Sequence, residues 1–237
     1  MLTLSEELYL ALHFNEKEKS IVSLEPSTSQ LATAGGLTAE LLLAGHLRLD
    51  ENQLVVLDAS ATGDNLLDEA LRCLQPSVRF NANDGEWFCD VAQKLPLGQA
   101  MLARLLEKGV IRPLQKSKWF GLSQTTTYPL QNEQITARWH QLQVEVLLSG
   151  GQPTVRDAVL LFMTRAWGTP LPATLSRQEW KTAENRWEKL FGDYWGMLPG
   201  GEASEPIPGL DTAVRQAIGH LTVAWAAADA DNHPFTD

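Results

Sequence analysis

Cysteine is scarce in this chain: Cys73 and Cys89 are the only two in 237 residues. They form neither a zinc spacing nor a disulfide framework, which points to a reducing, cytoplasmic compartment. The five histidines, His13, His46, His140, His220 and His233, contain no pair at metal-ligand spacing. There is no Gly-x-Ser-x-Gly elbow, no glycine loop ending in Lys-Ser or Lys-Thr, and no Cys-x-x-Cys. The glycine pairs Gly150-Gly151 and Gly200-Gly201 stand near prolines and read as loops. No enzyme class, metal or other cofactor is indicated. Long apolar runs are lacking too, since none approaches the roughly 20 residues of a membrane span. The opening residues carry Glu6 and Glu7 and no basic start, so no signal peptide is expected. Positive charge is in deficit, with 19 Lys and Arg against 29 Asp and Glu and a net charge of -10. That balance disfavours nucleic acid as a partner and confines any contact with an anionic membrane to a local basic patch.

What is present suits a globular protein. With 44% hydrophobic residues, the chain can bury a substantial core. We read residues 1–230 as one domain and 231–237 as a frayed tail. The most informative stretch runs from Leu54 to Cys73. Leu54, Val55, Val56 and Leu57 suit a buried strand. Asp58 to Gly63 reads as a turn. Asp64 is placed to cap a helix whose Leu66, Leu67, Ala70, Leu71 and Leu74 recur at helical spacing. Asp64, Asp68 and Glu69 could be taken for a metal or acid/base cluster. Capping and helix-dipole complementarity account for the same residues without a ligand.

Helical periodicity also marks Leu4–Leu12, the stretch after Pro26 up to Gly45, Trp87–Gln93, and the stretch from Pro96 to Lys108-Gly109. Further on it marks Ile135–Val146, Val155–Ala166, an aromatic stripe of Trp180, Trp187, Phe191 and Tyr194, and Leu210–Trp225. The stripe reads as core rather than as a ligand pocket. Ile21–Leu24 reads as a short strand. One hairpin is expected at Leu47–Leu57 and a second at Val110–Leu122. The two share a pattern, because Ala39–Leu49 and Leu102–Arg112 both read as helix, glycine stop and strand. Helix-plus-hairpin units occur in winged-helix DNA binders, but Asp64–Leu74 holds one arginine against three carboxylates, the wrong sign for a recognition helix. The fold class is therefore mainly α, a single helical domain with two short β-hairpins. The strongest local basic run is Arg104, Lys108, Arg112, Lys116 and Lys118, the candidate surface for anionic lipid.

Four stretches together resemble the Golgi phosphoprotein 3 family. They are Leu4-Ser5-Glu6-Glu7-Leu8, Glu40-Leu41 through Gly45-His46-Leu47, Thr62-Gly63-Asp64-Asn65-Leu66-Leu67-Asp68-Glu69-Ala70-Leu71, and Glu107–Ile111 leading to Thr126–Leu130. The resemblance spans Leu2 to Trp225. It implies a mostly helical fold and, by analogy with eukaryotic members, a peripheral adaptor that binds phosphatidylinositol 4-phosphate and links glycosyltransferase tails to coat proteins. The family's headgroup site uses a tryptophan and three arginines. Aligned with them here are Glu25, Ala34, Leu95 and Gly98, so none of those roles is carried over. The family's basic insertion is replaced by Asp50-Glu51-Asn52-Gln53, and the chain begins without its N-terminal extension, which fits a prokaryotic member. The expectation is a non-catalytic adaptor at the inner face of a membrane, with anionic lipid as a candidate partner. The protein partners are unspecified and self-association is left open. The alternatives are a soluble interaction module that has lost lipid binding and an enzyme of unrecognised class.

Overall fold

A computed structural model describes residues 2–15, 17–21, 26–50, 53–74, 80–81, 91–118, 123–166, 175–191 and 207–209. In chain order these form α1 (Leu4–His13), β1 (Phe14–Asn15), β2 (Ser20–Ile21), α2 (Pro26–Leu43), β3 (Leu47–Asp50), β4 (Gln53–Val56), α3 (Asn65–Leu74) and β5 (Phe80–Asn81). There follow α4 (Leu97–Glu107), β6 (Leu114–Lys118), β7 (Ser123–Pro129), α5 (Gln134–Gln143), α6 (Val155–Ala166) and α7 (Arg177–Phe191). A π-helical turn, Val144–Leu148, continues α5. Two small antiparallel sheets, ordered β1-β2-β7-β6 and β3-β4-β5, flank the helices. The mainly α class with two hairpins is thus what the chain adopts.

The middle of the fold is α2. Its turns carry small and aliphatic residues on every side, and Leu31, Ala34, Leu37, Ala39, Leu41 and Leu42 are all buried. A helix buried all round must be covered by others. Against it pack α1, α3, α4 and β3. α1 approaches closest at Gly36, where an added Cβ would stand 2.9 Å from the Ser5 Cα. The buried apolar residues of α1–α4, α6 and α7 form one continuous cluster, with Ile135, Trp139 and Leu142 of α5 packed against it, so the two helix-and-hairpin units share a core. Neither hairpin could persist alone in water.

The echo between those units extends to their hydrogen bonds. After α2, Gly45 N–H donates to the Leu42 carbonyl and His46 N–H to the Leu41 carbonyl. After α4, Gly109 N–H donates to Leu106 and Val110 N–H to Leu105. Both pairs form the same Schellman closure, with glycine at a positive φ of 79° and 65°.

The structure shifts several elements from the positions read in the sequence. β4 is not a buried strand. Leu54 is buried, but Val55 and Val56 are half-buried and Leu57 is exposed, because β4 lies at the surface between β3 and a third short strand, β5. The second hairpin is formed by Leu114–Lys118 and Ser123–Pro129, with Lys116 opposite Thr125 and Lys118 opposite Ser123. Ile111 makes only an isolated bridge to Leu130. Of the strand expected at Ile21–Leu24, Ile21 lies in β2 and residues 22–24 fall outside the described residues. The aromatic stripe is core where it is described: Trp187 and Phe191 pack on Phe162 with ring centroids 6.1 and 5.2 Å away. Expectations for Trp87–Asp90, Trp119–Leu122, Tyr194, Leu210–Trp225 and the tail 231–237 fall outside the described residues.

Candidate functional site

The polar residues gather at the first turn of α1. Thr3 caps that helix. Its Oγ1 accepts the Glu6 N–H, and Glu6 Oε2 accepts the Thr3 N–H at 2.8 Å, a capping box. The Glu6 side chain is fully buried, and two cations from α4 and its C-cap satisfy it. Arg104 Nε donates to Oε1 at 3.0 Å, and Lys108 Nζ donates to Oε2 at 2.7 Å. Burial alone would raise the Glu6 pKa. The Lys108 hydrogen bond, the Thr3 N–H and the two positive charges outweigh it and bring the carboxyl below its ordinary value.

Arg104 carries the network onward. Its Nη1 and Nη2 form a bidentate pair with Asp64. Asp64 Oδ1 meanwhile accepts the N–H groups of Leu66 at 2.9 Å and Leu67 at 3.2 Å, the cap expected for α3. The Arg104 guanidinium, helped by the Leu66 and Leu67 N–H donors, holds the Asp64 carboxyl down at about 2 against the burial that would raise it. Asp68 is occupied locally, where its Oδ1 accepts the N–H and the hydroxyl of Thr62, each at 2.7 Å. The structural reading of Asp64 and Asp68 therefore holds. Among the described residues no group of acidic, histidine or cysteine side chains is arranged to hold a metal.

The network extends in two further directions. From α2, one turn beyond Gly36, Glu40 accepts the Leu4 N–H and the Ser5 hydroxyl, the latter at 2.6 Å. Burial raises the Glu40 pKa against those two hydrogen bonds. On the opposite side of α1, Glu7 accepts from Arg156 at 3.1 Å and Arg138 at 3.4 Å, and Arg138 lies 3.5 Å from Asp157. Counted from the two glycine stops, Glu40 and Arg104 occupy equivalent positions in the repeated units. Both reach the start of α1.

Of the five basic residues singled out in the sequence, the structure brings two together. Arg104 and Lys108 meet on Glu6, Arg104 half-buried and Lys108 still exposed beyond the contact. Arg112 is exposed, and its N–H donates to the Pro129 carbonyl at 3.2 Å. Lys116 and Lys118 take alternate positions along β6. Of the positions aligned with the headgroup site, Ala34 is fully buried in α2, Leu95 is half-buried and Gly98 lies in the first turn of α4. Glu25 is outside the described residues. Sequence reasoning missed the pairing of Glu6 and Asp64 with Arg104, since nothing local links residues so far apart. A signal did exist: each of the four stretches behind the family resemblance supplies a member of this network.

Fold and site together define a helical scaffold in which a partly buried polar network ties five segments to one short helix. The chain belongs to the Golgi phosphoprotein 3 (GPP34) family, whose sequence profile matches residues 4–205. No curated protein sequence matches the chain. Membership of this family suggests a non-enzymatic, adaptor-type protein. No described helix is long and apolar enough to cross a membrane.

Proposed function

We propose that this protein is a non-catalytic adaptor that touches anionic membrane surfaces through the hairpin β6–β7 and the segment leading into it, without a dedicated phosphoinositide pocket. The observation carrying this reading is the surface character of that segment. Arg112 is exposed, Leu114 beside it is 48% exposed, and Lys116 and Lys118 follow at alternate strand positions. A cation near an anionic leaflet contributes about 1 kcal/mol, and a neighbouring apolar side chain adds burial at the interface. Arg104 and Lys108 contribute less, because their donors are engaged by Glu6 and Asp64. Selectivity for a phosphorylated headgroup needs cationic donors converging on the phosphate. Ala34, Leu95 and Gly98 supply none.

Vesicle flotation tests the proposal. The protein is expected to float with phosphatidylserine vesicles at low salt and to release at physiological ionic strength, where the Debye length is about 8 Å. No preference is expected for phosphatidylinositol 4-phosphate at equal surface charge. The triple substitution R112A/K116A/K118A is expected to abolish flotation. Salt-resistant binding selective for the 4-phosphate would overturn the absence of a headgroup site. A second reading, a soluble interaction module, is favoured by the net charge of -10 and by the internal pairing of Arg104 and Lys108. Absence of flotation at every salt concentration selects it.

A further inference from the structure

Charge within the α1 network is matched with one group left over. Glu6 pairs with Arg104 and Lys108, Asp64 with Arg104, Glu7 with Arg138 and Arg156, and Asp157 with Arg138. Those four carboxylates face four cations. Glu40 is the fifth carboxyl group, and among the described residues no cation lies within ion-pair distance of it. Its hydrogen-bond partners are neutral: the Leu4 N–H and the Ser5 hydroxyl. It is also the only ionisable side chain of α2. Gly36, one turn earlier on the same face, brings α1 close enough for this contact.

We propose that Glu40 is a proton-carrying clasp, neutral when α1 is firmly docked on α2, whose deprotonation loosens the first turn of α1. In the neutral form one oxygen accepts the Leu4 N–H, and the other carries the proton and donates to Ser5 Oγ. On deprotonation the proton leaves to solvent and the Ser5 hydroxyl turns to donate. A fifth negative charge then stands in a cluster already balanced by its four cations. The charged members of the surrounding network are Glu6 and Glu7 from α1, Asp64 at the cap of α3, Arg104 and Lys108 from α4, Arg138 from α5, and Arg156 and Asp157 from α6. Of these, Arg156 favours the charged form and Asp64 opposes it, while burial opposes it most.

The sign of the linkage follows. A carboxyl group whose folded pKa is raised stabilises the fold fully below its unfolded value of 4.5, and that contribution is lost as pH rises through the folded value. Glu40→Gln keeps both hydrogen bonds, with an amide oxygen for Leu4 and an amide N–H for Ser5, and it cannot ionise. Melting temperatures of wild type and E40Q are expected to agree below about pH 4, under the unfolded value, with E40Q melting about 2–4 °C higher near about pH 8. A difference that does not change with pH overturns the proposal. Should E40Q fail to fold, carbon-detected NMR titration of the wild-type carboxyl groups decides the matter alone. Glu40 is expected to titrate above 4.5 together with shifts of the Leu4 and Ser5 amides, and titration at or below 4.5 overturns the clasp.

Discussion

Glu6 and Asp64 show what a single carboxylate can organise. Glu6 has no exposed surface and two cationic donors. Glu6→Ala removes the capping box and two charged hydrogen bonds while Arg104 keeps Asp64 and Lys108 turns to solvent, and a loss of about 1.5–3 kcal/mol is expected in urea unfolding. Asp64→Ala removes a cap worth about 1 kcal/mol and a charged hydrogen-bond partner worth about 1.5–3 kcal/mol. Its cost should exceed that of capping alone, and Asp64→Asn should recover the capping part. Asp64 titrates at about 2 against an unperturbed 3.8. A lowered carboxylate stabilises the fold above the unfolded value, and that contribution disappears as pH falls through the folded one. The acid limb of the wild-type stability profile should accordingly be shallower in Asp64→Ala. The cap was legible in the sequence because it joins Asp64 to residues two and three positions away. The pairing with Arg104 was not, because sequence separation says nothing of spatial contact until the helices have packed.

At the scale of elements, glycine placement carries most of the legible information. Gly45 and Gly109 end α2 and α4 in the left-handed conformation, and an added Cβ would meet nothing within 4 Å at either. Substitution by alanine should cost only the backbone term, about 1–2 kcal/mol at each site. Gly36 is different. Its φ is unremarkable, but a Cβ there would press on the Ser5 backbone. Gly36→Ala should force α1 away from α2, costing about 1–3 kcal/mol. It should also disturb the Leu4 and Ser5 amides, which Gly45→Ala should leave unchanged, and amide chemical shifts compare the two. The second hairpin was less legible. β6 and β7 read LQKSK and SQTTTYP, mostly polar. A ribbon that buries little imposes no apolar alternation, so the apolar residues around it drew the sequence reading to Val110–Leu122. β5 is two residues long and leaves no pattern to read.

For the whole molecule, the net charge of -10 sets the expected behaviour. Long-range repulsion from an anionic bilayer opposes the attraction of the Arg112–Lys118 segment, so added salt weakens both. Lowering pH towards the isoelectric point near 5.0 should strengthen vesicle binding at fixed salt, as carboxylates elsewhere lose charge while Arg112, Lys116 and Lys118 keep theirs. Flotation measured across that pH range checks this expectation, and binding that weakened on acidification would contradict it.

The helical class, the helix ends at Gly45 and Gly109, the capping role of Asp64 and the family were all legible along the chain. Each of these depends on periodicity or on neighbours within a turn or two of chain, or on the order of several short motifs. That Glu6, Glu40, Asp64, Arg104 and Lys108 belong together emerges only from packing. Packing also divides the basic run, tying Arg104 and Lys108 to Glu6 and leaving Arg112 outside. Their meeting depends on α1 lying against Gly36 and on α4 crossing the same central helix. Those are packing outcomes of the whole core, in which the burial of Glu6 and Asp64 is offset by cations from a distant part of the chain while Glu40 is held by neutral donors.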